Sequence, residues 1–261
     1  MRIAIAQIKC APGSAESNIA HACSYCSRAK KEGAELVVLP EMVDTGYDLA
    51  VAAKTASGWD VGPLSALRET AQKESICIAC GLSERDKGDL FNSLALIDAR
   101  GAIAAKYRKT HLFFGPGIDE RSCFRPGAEL TSAAVEGVRM GLSICYDLRF
   151  PEMFRVLAVK HQVQAFINCS AWPFPRVSHF SCLLRARAIE NQCYMIAANR
   201  VGKDGHAVFC GSSVVIDPFG ATVACASEDR EELILADLSA EVLQAARQRM
   251  PVLNHRREDL Y

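Results

Sequence analysis

A cysteine, Cys145, stands where an apolar strand is predicted to turn into a helix. The run Val138–Ile144 is typical of a buried strand, and Pro151 favours a helix start before 152–161, because the N–H that proline lacks would stay unbonded there. Backbone N–H groups surround a residue at such a turn, and they stabilise both a thiolate and an oxyanion formed beside it. The pattern therefore indicates a nucleophilic thiol at Cys145.

Two other chargeable groups follow predicted strands. The apolar run 36–39 leads through one proline to Glu41, and the segment 105–113 carries four positively chargeable residues, among them Lys109. Loops that follow the strands of an open α/β sheet are where such folds bind ligands. Taken separately, Glu41 could be a solvated charge at a strand end, and 105–113 could be a solvent-facing basic strand. Beside a thiol, however, a carboxylate can act as a base and an ammonium can stabilise an oxyanion.

The three segments together resemble the nitrilase superfamily of carbon–nitrogen hydrolases. That family carries a glutamate in a Leu-Pro-Glu strand end, a lysine in a Lys-x-His-Leu-Phe segment and a cysteine in a Cys-Tyr-Asp-x-Arg-Phe turn. Here these residues are Glu41, Lys109 and Cys145, in the family's order. Later segments, such as 171–173 and 211–220, are also similar to the family, so the resemblance covers nearly the whole chain. It implies a single α/β domain, residues 1–261, folded as a four-layer α-β-β-α sandwich and usually dimerised through helices.

The resemblance also implies hydrolysis of amides or nitriles with no cofactor. In this chemistry Cys145 attacks the amide carbon and forms a thioester, while Glu41 takes and returns protons. Lys109 faces the negative oxygen together with backbone N–H groups just after Cys145, such as that of Tyr146. Because a free thiol titrates at about 8.5, Cys145 needs a neighbouring base to attack at neutral pH.

Many members of the family carry a second glutamate between the lysine and the cysteine, which helps to position the lysine or the substrate. Glu120 matches it by its distance from the turn at Gly127, although the loop 114–124 that contains Glu120 departs in length from several relatives. Glu129, or a merely solvated Glu120, is the alternative.

The remaining charges near the cysteine predict the class of substrate. Arg149 matches a position where carbamoylase relatives hold a substrate carboxylate, and Arg176, after Trp172, is a second candidate. Alternatively, Arg149 pairs with Asp147 or Glu152 and braces the turn. The amino-acid sequence of residues 145–152 is more similar to the omega-amidase branch, which acts on amides of the 2-oxoglutaramate type, than to true nitrilases. We therefore expect a small amide with a distant carboxylate, the alternatives being a carbamoyl amino acid or a nitrile.

Two rival functions come from other classes of protein. In a papain-like or serine hydrolase, His111, His179 or His206 would serve as the base for Cys145, or Ser143 would be the nucleophile. The Gly-x-Ser-x-Gly turn of serine hydrolases is absent, because Cys145 holds its last position. A non-catalytic metabolite-binding relative would have no need of the glutamate, the lysine and the cysteine together.

The composition excludes several classes of partner. Half of the 261 residues are apolar, which is enough to bury a large core. Lys plus Arg and Asp plus Glu both total 30, so no net charge attracts nucleic acid or an acidic membrane. No segment approaches the roughly 18 apolar residues of a membrane span, and the first residues do not resemble a signal peptide. We expect a cytoplasmic homodimer with a small-molecule substrate.

Twelve cysteines could suggest disulfides or zinc. Cys23 and Cys26 are predicted on one face of a helix, whereas Cys77 and Cys80 are predicted on opposite faces of a strand, so the second pair cannot easily hold one ion. We therefore predict no metal site, and eleven cysteines that pack as small apolar residues of a reduced protein.

Predicted strands and helices alternate without a linker, which favours a layered α/β fold. Strands are predicted over 3–8, 36–39, 76–82, Val138–Ile144, 164–169, 193–198 and Glu232–Asp237. Helices are predicted over 14–32, Pro63–Glu74, 152–161 and 178–192, and hairpins over 91–98 with 102–107 and 212–216 with 221–224.

Overall fold

The computed structural model describes residues 1–115, 117–205 and 207–260. Its strands are β1 (Arg2–Gln7), β2 (Leu36–Val38), β3 (Cys77–Asp86), β4 (Asp89–Ile97), β5 (Ile103–Arg108), β6 (Phe114–Gly115), β7 (Ile118–Asp119), β8 (Ser132–Val135), β9 (Val138–Ile144), β10 (Ala165–Ser170), β11 (Tyr194–Asn199), β12 (Val201–Asp204), β13 (Ala207–Cys210), β14 (Val214–Ile216), β15 (Thr222–Cys225) and β16 (Glu232–Asp237). Its α-helices are α1 (Ala15–Lys31), α2 (Leu49–Thr55), α3 (Pro63–Glu74), α4 (Pro151–Val159), α5 (Val177–Asn191) and α6 (Ala240–Arg249). Short 3-10 turns cover Glu120–Ser122 and Cys145–Arg149.

Two six-stranded sheets form the body of the protein. The first sheet has the strand order β16-β1-β2-β3-β4-β5, and the second has the order β15-β14-β11-β10-β9-β8. In each sheet three neighbouring strands are parallel, β1-β2-β3 in the first and β9-β10-β11 in the second, and the outer strands are antiparallel. The loops that follow β2, β9 and β10 therefore leave the carboxyl ends of parallel strands, where open sheets hold ligands.

The alternation of side chains along β1 shows what each face of the first sheet contacts. Ile3 and Ile5 of β1 belong to a core shared with strands of the second sheet and with α4 and α5, whereas Ala4 and Ala6 pack in a separate core with α1 and α3. Side chains that alternate along a strand face opposite sides of a sheet, so one face of the first sheet meets the second sheet and the other meets helices. The predicted four-layer α-β-β-α sandwich is confirmed.

Most predicted elements lie within one or two residues of their observed bounds, and Pro63–Glu74, Val138–Ile144 and Glu232–Asp237 are identical to them. The strand predicted over 76–82 extends to Asp86. The prediction lacked α2, α6, β8 and the β12–β13 hairpin. Helix α6 carries an N-cap signal, since the Ser239 hydroxyl accepts a hydrogen bond from the Val242 N–H at 3.2 Å.

Cys77 and Cys80 follow their predicted faces, but Cys182 and Cys225 are exposed, so the prediction that eleven cysteines pack as apolar residues is wrong for these two. Cys77 packs between the sheets and Cys80 packs under α1 and α3, so the two thiols lie on opposite sides of β3. All twelve cysteines are in the described part of the chain and none forms a disulfide. Within the described residues, no group of three or more His, Cys, Asp and Glu side chains could hold a metal ion, and no helix could cross a membrane.

Candidate active site

Glu41 is placed by a turn that crosses closely over β3. The Gly81 N–H donates to the Pro40 carbonyl at 3.0 Å, and the Gly81 carbonyl accepts the Val43 N–H at 2.9 Å. A Cβ on Gly81 would lie 2.6 Å from the Glu41 Cα, closer than real contacts allow. The missing side chain of Gly81 therefore lets the Glu41 turn rest on the strand.

Replacing Gly81 with alanine is expected to displace this turn. We expect a loss of about 1–3 kcal/mol in the free energy of unfolding, typical of overpacking, and a loss of about 100-fold in turnover, because a shift near 1 Å is enough for that. Chemical denaturation and steady-state kinetics would measure the two effects. Gly58→Ala is the control, since its Cβ would meet only the Arg85 carbonyl at 3.9 Å. Wild-type turnover in Gly81→Ala would contradict this account of the turn.

Lys109 follows β5 and points into the molecule. Its N–H donates to the Asn92 carbonyl at 2.8 Å, which extends the pairing with β4 by one residue. The Lys109 Nζ lies 2.9 Å from Glu41 Oε1 and 2.8 Å from Glu120 Oε1, and the side chains of all three residues are fully buried. An ammonium has three donors, so two hold the carboxylates and the third is left for another acceptor.

Glu120 opens the 3-10 turn after β7, and its carboxylate faces inward. Besides Lys109, the Tyr47 hydroxyl donates to Glu120 Oε1 at 2.7 Å and the Phe113 N–H donates to Oε2 at 2.8 Å. Glu129, the alternative, is exposed. The structure thus brings Glu120, and not Glu129, into contact with Lys109.

The Glu41 carboxylate accepts three hydrogen bonds. Its Oε1 takes the Lys109 ammonium and, at 2.7 Å, the Asn92 Nδ2–H, while its Oε2 takes the Ala171 N–H at 2.8 Å. Donors from β4, from the end of β5 and from the end of β10 therefore fix the orientation of one carboxylate.

Cys145 stands at the expected sharp turn after β9, with a backbone φ of +42°. This left-handed conformation is uncommon for a residue with a side chain, and such strain persists only where the surroundings enforce it. Asp147 holds the turn in this conformation. Its buried carboxylate accepts hydrogen bonds from the Ile144 N–H at 2.9 Å, the Tyr107 hydroxyl at 2.6 Å and the His111 N–H at 3.1 Å. These bonds tie the turn of the second sheet to the end of the first.

Burial and charge set the protonation of this cluster. Burial raises the pKa of the Cys145 thiol well above its usual value, the negative charge of Glu41 raises it further, and Lys109 and a hydrogen bond from the Ala171 N–H oppose the rise. Burial opposes the charged form of Lys109, but Glu120 and Glu41 outweigh this and raise its pKa. Burial also raises the pKa of Glu120 against the effect of Lys109. Cys145 is therefore a thiol at rest and needs a base.

Cys145 lies at a pocket of about 440 Å³ that is also lined by Arg149, Arg176 and Trp172. The Arg149 Cζ lies 4.8 Å from the centre of the Trp172 ring, and the Arg176 Cζ lies 5.9 Å from that of Phe113. Trp172 Nε1 donates to the Arg176 carbonyl at 2.8 Å. The sequence-predicted binding residues thus share one pocket with the cysteine.

Neither arginine of this pocket pairs with a carboxylate among the described residues. Among the described residues, the one side-chain hydrogen bond of Arg149 is with His179 Nδ1, at 3.5 Å. The alternative that Arg149 braces the turn through Asp147 or Glu152 is not supported, since Asp147 binds other partners and Glu152 is exposed. Two guanidinium groups are therefore available to an anionic ligand.

Of the histidines in the rival hydrolase hypothesis, His111 is engaged elsewhere. His111 Nδ1 lies 2.9 Å from Asp147 Oδ1, and its ring stacks on Phe150 with 3.8 Å between centres. His179 is exposed, and His206 lies outside the described residues. Ser143 donates to the Ile167 carbonyl at 2.8 Å and is buried in the strand. Glu41 is the described basic group whose charge acts most strongly on Cys145.

The sequence analysis missed two contributors to the site, Asn92 and Tyr47, and considered Asp147 only as a partner of Arg149. Asn92 interrupts an apolar strand, and a polar residue inside such a strand is a usable signal, because buried polar groups need partners. Tyr47 lies in the same loop as Glu41. Their contacts join distant parts of the chain, and no spacing rule predicts these contacts.

Comparisons with known proteins identify the family of the chain. A model of the carbon-nitrogen hydrolase family matches residues 2–248. The chain is 36% identical over 250 residues to the 2-oxoglutaramate amidase of Bacillus subtilis (strain 168), with 95% of each chain covered. It is 31% identical over 258 residues to the omega-amidase NIT2 of Homo sapiens, covering 94% of this chain and 91% of that protein.

A solved structure extends the likeness to the fold. It is a carbon–nitrogen hydrolase superfamily protein from Xanthomonas campestris with an arsenic adduct in its active site, and it superposes with a TM-score of 0.91 at 29% identity, covering 98% of this chain and 97% of that one. The chain therefore belongs to the carbon-nitrogen hydrolase family, within the nitrilase superfamily, and is a hydrolase that acts on the carbon–nitrogen bonds of amides.

Proposed function

We propose that this protein hydrolyses the terminal amide of a small carboxylate-bearing substrate, of the 2-oxoglutaramate type, to the acid and ammonia. Glu41, Lys109, Glu120 and Cys145 carry out the reaction, with no cofactor. One observation carries the proposal: a buried carboxylate–ammonium–carboxylate group acts on a cysteine at a pocket whose arginines lack carboxylate partners among the described residues.

Acylation begins with transfer of the thiol proton of Cys145 to Glu41. The sulfur forms a bond to the amide carbon, and the carbonyl electron pair moves to the oxygen. When the tetrahedral intermediate collapses, the carbon–nitrogen bond breaks and Glu41 returns its proton to the nitrogen, which leaves as ammonia. The acyl group stays on Cys145 as a thioester.

Deacylation uses the same base. Glu41 takes a proton from water, the water oxygen forms a bond to the thioester carbon, and a second tetrahedral intermediate results. Its collapse breaks the carbon–sulfur bond, and the sulfur of Cys145 recovers the proton held by Glu41. The products are the carboxylic acid and the resting thiol.

Two kinds of donor are available to the oxyanion of both intermediates. The third N–H of Lys109 is free of Glu41 and Glu120, and its positive charge favours a negative oxygen. The Tyr146 N–H lies at the start of the 3-10 turn, where backbone N–H groups have no partner within the turn. Glu120 holds Lys109 in place through the second ammonium contact, at 2.8 Å.

The pocket supports a substrate with a carboxylate. Arg149 and Arg176 supply two positive charges, and Trp172 supplies an apolar wall against which Arg149 packs. Guanidinium groups bind carboxylates in a bidentate manner. The names of the two curated relatives point the same way, since one is a 2-oxoglutaramate amidase and the other an omega-amidase.

Removal of these charges should affect binding more than chemistry. We expect Arg149→Met and Arg176→Met to raise KM for 2-oxoglutaramate by about 10- to 100-fold, because a charge-assisted hydrogen bond to the substrate is lost. Turnover of a neutral amide of similar length, such as valeramide, should stay within about threefold of wild type and serves as the control. Equal losses for the charged and the neutral amide would contradict a carboxylate-binding role.

Ammonia release from a panel of substrates tests the function itself. The panel contains 2-oxoglutaramate, a carbamoyl amino acid, a nitrile and neutral amides, each assayed with wild type and with Cys145→Ala. We expect release from the keto-acid amide in the wild type and none above background in Cys145→Ala. Preference for the carbamoyl compound or the nitrile would overturn the substrate class, and no turnover of any substrate would favour a metabolite-binding protein.

The same proposal includes a single domain that forms a homodimer in the cytoplasm. Ile189, Phe219 and Met250 are large apolar side chains that are about half or more exposed, and they line one groove at the ends of α5 and α6. Such a patch supports an interface with a second copy, which sedimentation velocity would test. The absence of disulfides among the twelve cysteines supports a reducing compartment.

A further inference from the structure

Asn92 is a buried residue of β4 that contacts two members of the proposed catalytic group, Glu41 and Lys109. Leu94 and Leu96 of the same strand face the second sheet, and Asn92 shares their face because side chains two apart point to the same side. Its carbonyl accepts the Lys109 N–H, and its side-chain Nδ2–H donates to Glu41 Oε1 at 2.7 Å.

The amide of Asn92 is incompletely satisfied. Its Oδ1 is buried and has no hydrogen-bond partner among the described residues. A buried oxygen without a partner is a cost to folding, so the amide adds little to stability through its own contacts. Its one side-chain hydrogen bond in the described structure is the one to Glu41.

The acceptor sites of the Glu41 carboxylate show the effect of the hydrogen bond from Asn92. Each carboxylate oxygen accepts two hydrogen bonds. Oε1 is filled by Lys109 and Asn92, whereas Oε2 takes only the Ala171 N–H and keeps one site free. Ala171 follows β10, which pairs with β9 just before Cys145, so Oε2 is the oxygen held against the second sheet, from which the thiol leaves.

We propose that Asn92 is a positioning residue that makes Oε2 the oxygen through which Glu41 exchanges protons with Cys145 and with water. Its neutral donor fills the second site of Oε1 and stops the carboxyl group from rotating. Without it, Oε1 has a site free as well, and the carboxyl can turn away from the thiol. This inference rests on the proposed function, since it assumes that Glu41 is the base.

Asn92→Leu removes the donor and keeps the size of the side chain. We expect kcat for 2-oxoglutaramate to fall about 10- to 100-fold, typical of a lost hydrogen bond to a charged group, while KM changes less than about threefold. A kcat within threefold of wild type would overturn the inference.

Ser93→Ala is the matched control for the folding of β4. Ser93 is buried on the opposite face of the strand and donates to Glu84 at 2.6 Å, away from Glu41. The variant should lose thermal stability but keep the kcat and the pH profile of the wild type. An equal fall of kcat in both variants would mean that Asn92 acts only through the strand, and would also overturn the inference.

Asn92→Asp keeps the shape and gives a second measurement should the leucine variant fold poorly. A carboxyl group at this position can donate to Glu41 only while it is protonated. The activity of the variant relative to wild type should therefore rise as the pH is lowered from 8 to 5. A ratio that stays constant or falls would count against the inference. Glu41→Gln separates the two hypotheses: if it stays active, the proposed function fails, whereas an inactive Glu41→Gln beside a normal Asn92→Leu refutes the role of Asn92 alone.

Discussion

Lys109→Met is expected to abolish turnover and to destabilise the protein together. Methionine fills the same space but leaves Glu41 and Glu120 buried without their shared cation. Breaking a buried ion pair by removing one partner typically costs about 3–5 kcal/mol. Because the oxyanion also loses its nearest positive charge, kcat should fall by about 1000-fold. Urea denaturation and ammonia release measure the two effects.

The loss of stability in Lys109→Met should depend on pH. Burial already raises the pKa of Glu120, and without the ammonium that pKa rises further. A carboxyl whose folded-state pKa exceeds its unfolded value binds more protons in the folded state, so stability falls as pH rises from the unfolded pKa through the folded one. The variant should therefore be closest to wild type near pH 5 and furthest from it near pH 8.

A double variant separates the two roles of Lys109. Adding Glu120→Gln removes one of the buried charges, so stability should recover in part while turnover stays absent. Lys106→Met is the single-site control, because Glu84 keeps its second partner, Arg108. Turnover of Lys109→Met within tenfold of wild type would contradict the role assigned to the ammonium.

Glu41→Gln should lower turnover as strongly as Lys109→Met but make the Cys145 thiol easier to ionise. Loss of the base from both half-reactions is expected to lower kcat/KM roughly 1000-fold or more. The charge of Glu41 raises the pKa of Cys145, so its removal should lower that pKa. The rate of alkylation by iodoacetamide should therefore reach its half-maximum at a lower pH than in wild type, although the variant is nearly inactive.

Glu129→Gln is the control for Glu41→Gln. Glu129 is exposed and its substitution should leave turnover and the alkylation profile unchanged. An alkylation midpoint of Glu41→Gln that stays in place or rises would show that Glu41 does not act on Cys145 as described. Full turnover in this variant would refute the assigned base.

Local patterns were enough to predict much of the fold. Apolar runs that end at Glu41 and at Cys145 gave strands with nearly correct ends, since an apolar strand must stop where a charged or strained residue begins. Helix α2 was missed because its seven residues are too short for a periodic signal. The pairing of β12 with β13 depends on tertiary contacts that follow from no local rule.

The candidate site was predictable to the extent that its residues lie in motifs. Glu120 could be preferred over Glu129 only through the resemblance to a family, and the structure supplies the physical reason, the 2.8 Å contact with Lys109. Asn92 and Asp147 act across 51 and 36 residues of chain, on Glu41 and on His111. Pairings of that range are set by how the sheets dock, which no single segment encodes.

The residues of the site come from both sheets, and those of the first sheet precede those of the second in the sequence. Glu41, Lys109 and Glu120 belong to the first sheet and its loops, whereas the thiol and the Ala171 N–H leave the second sheet. Neither half of the chain holds a complete set. Catalytic competence can therefore arise only after the sheets have joined, and the return of ammonia release during refolding would time that late, long-range step rather than the formation of either sheet.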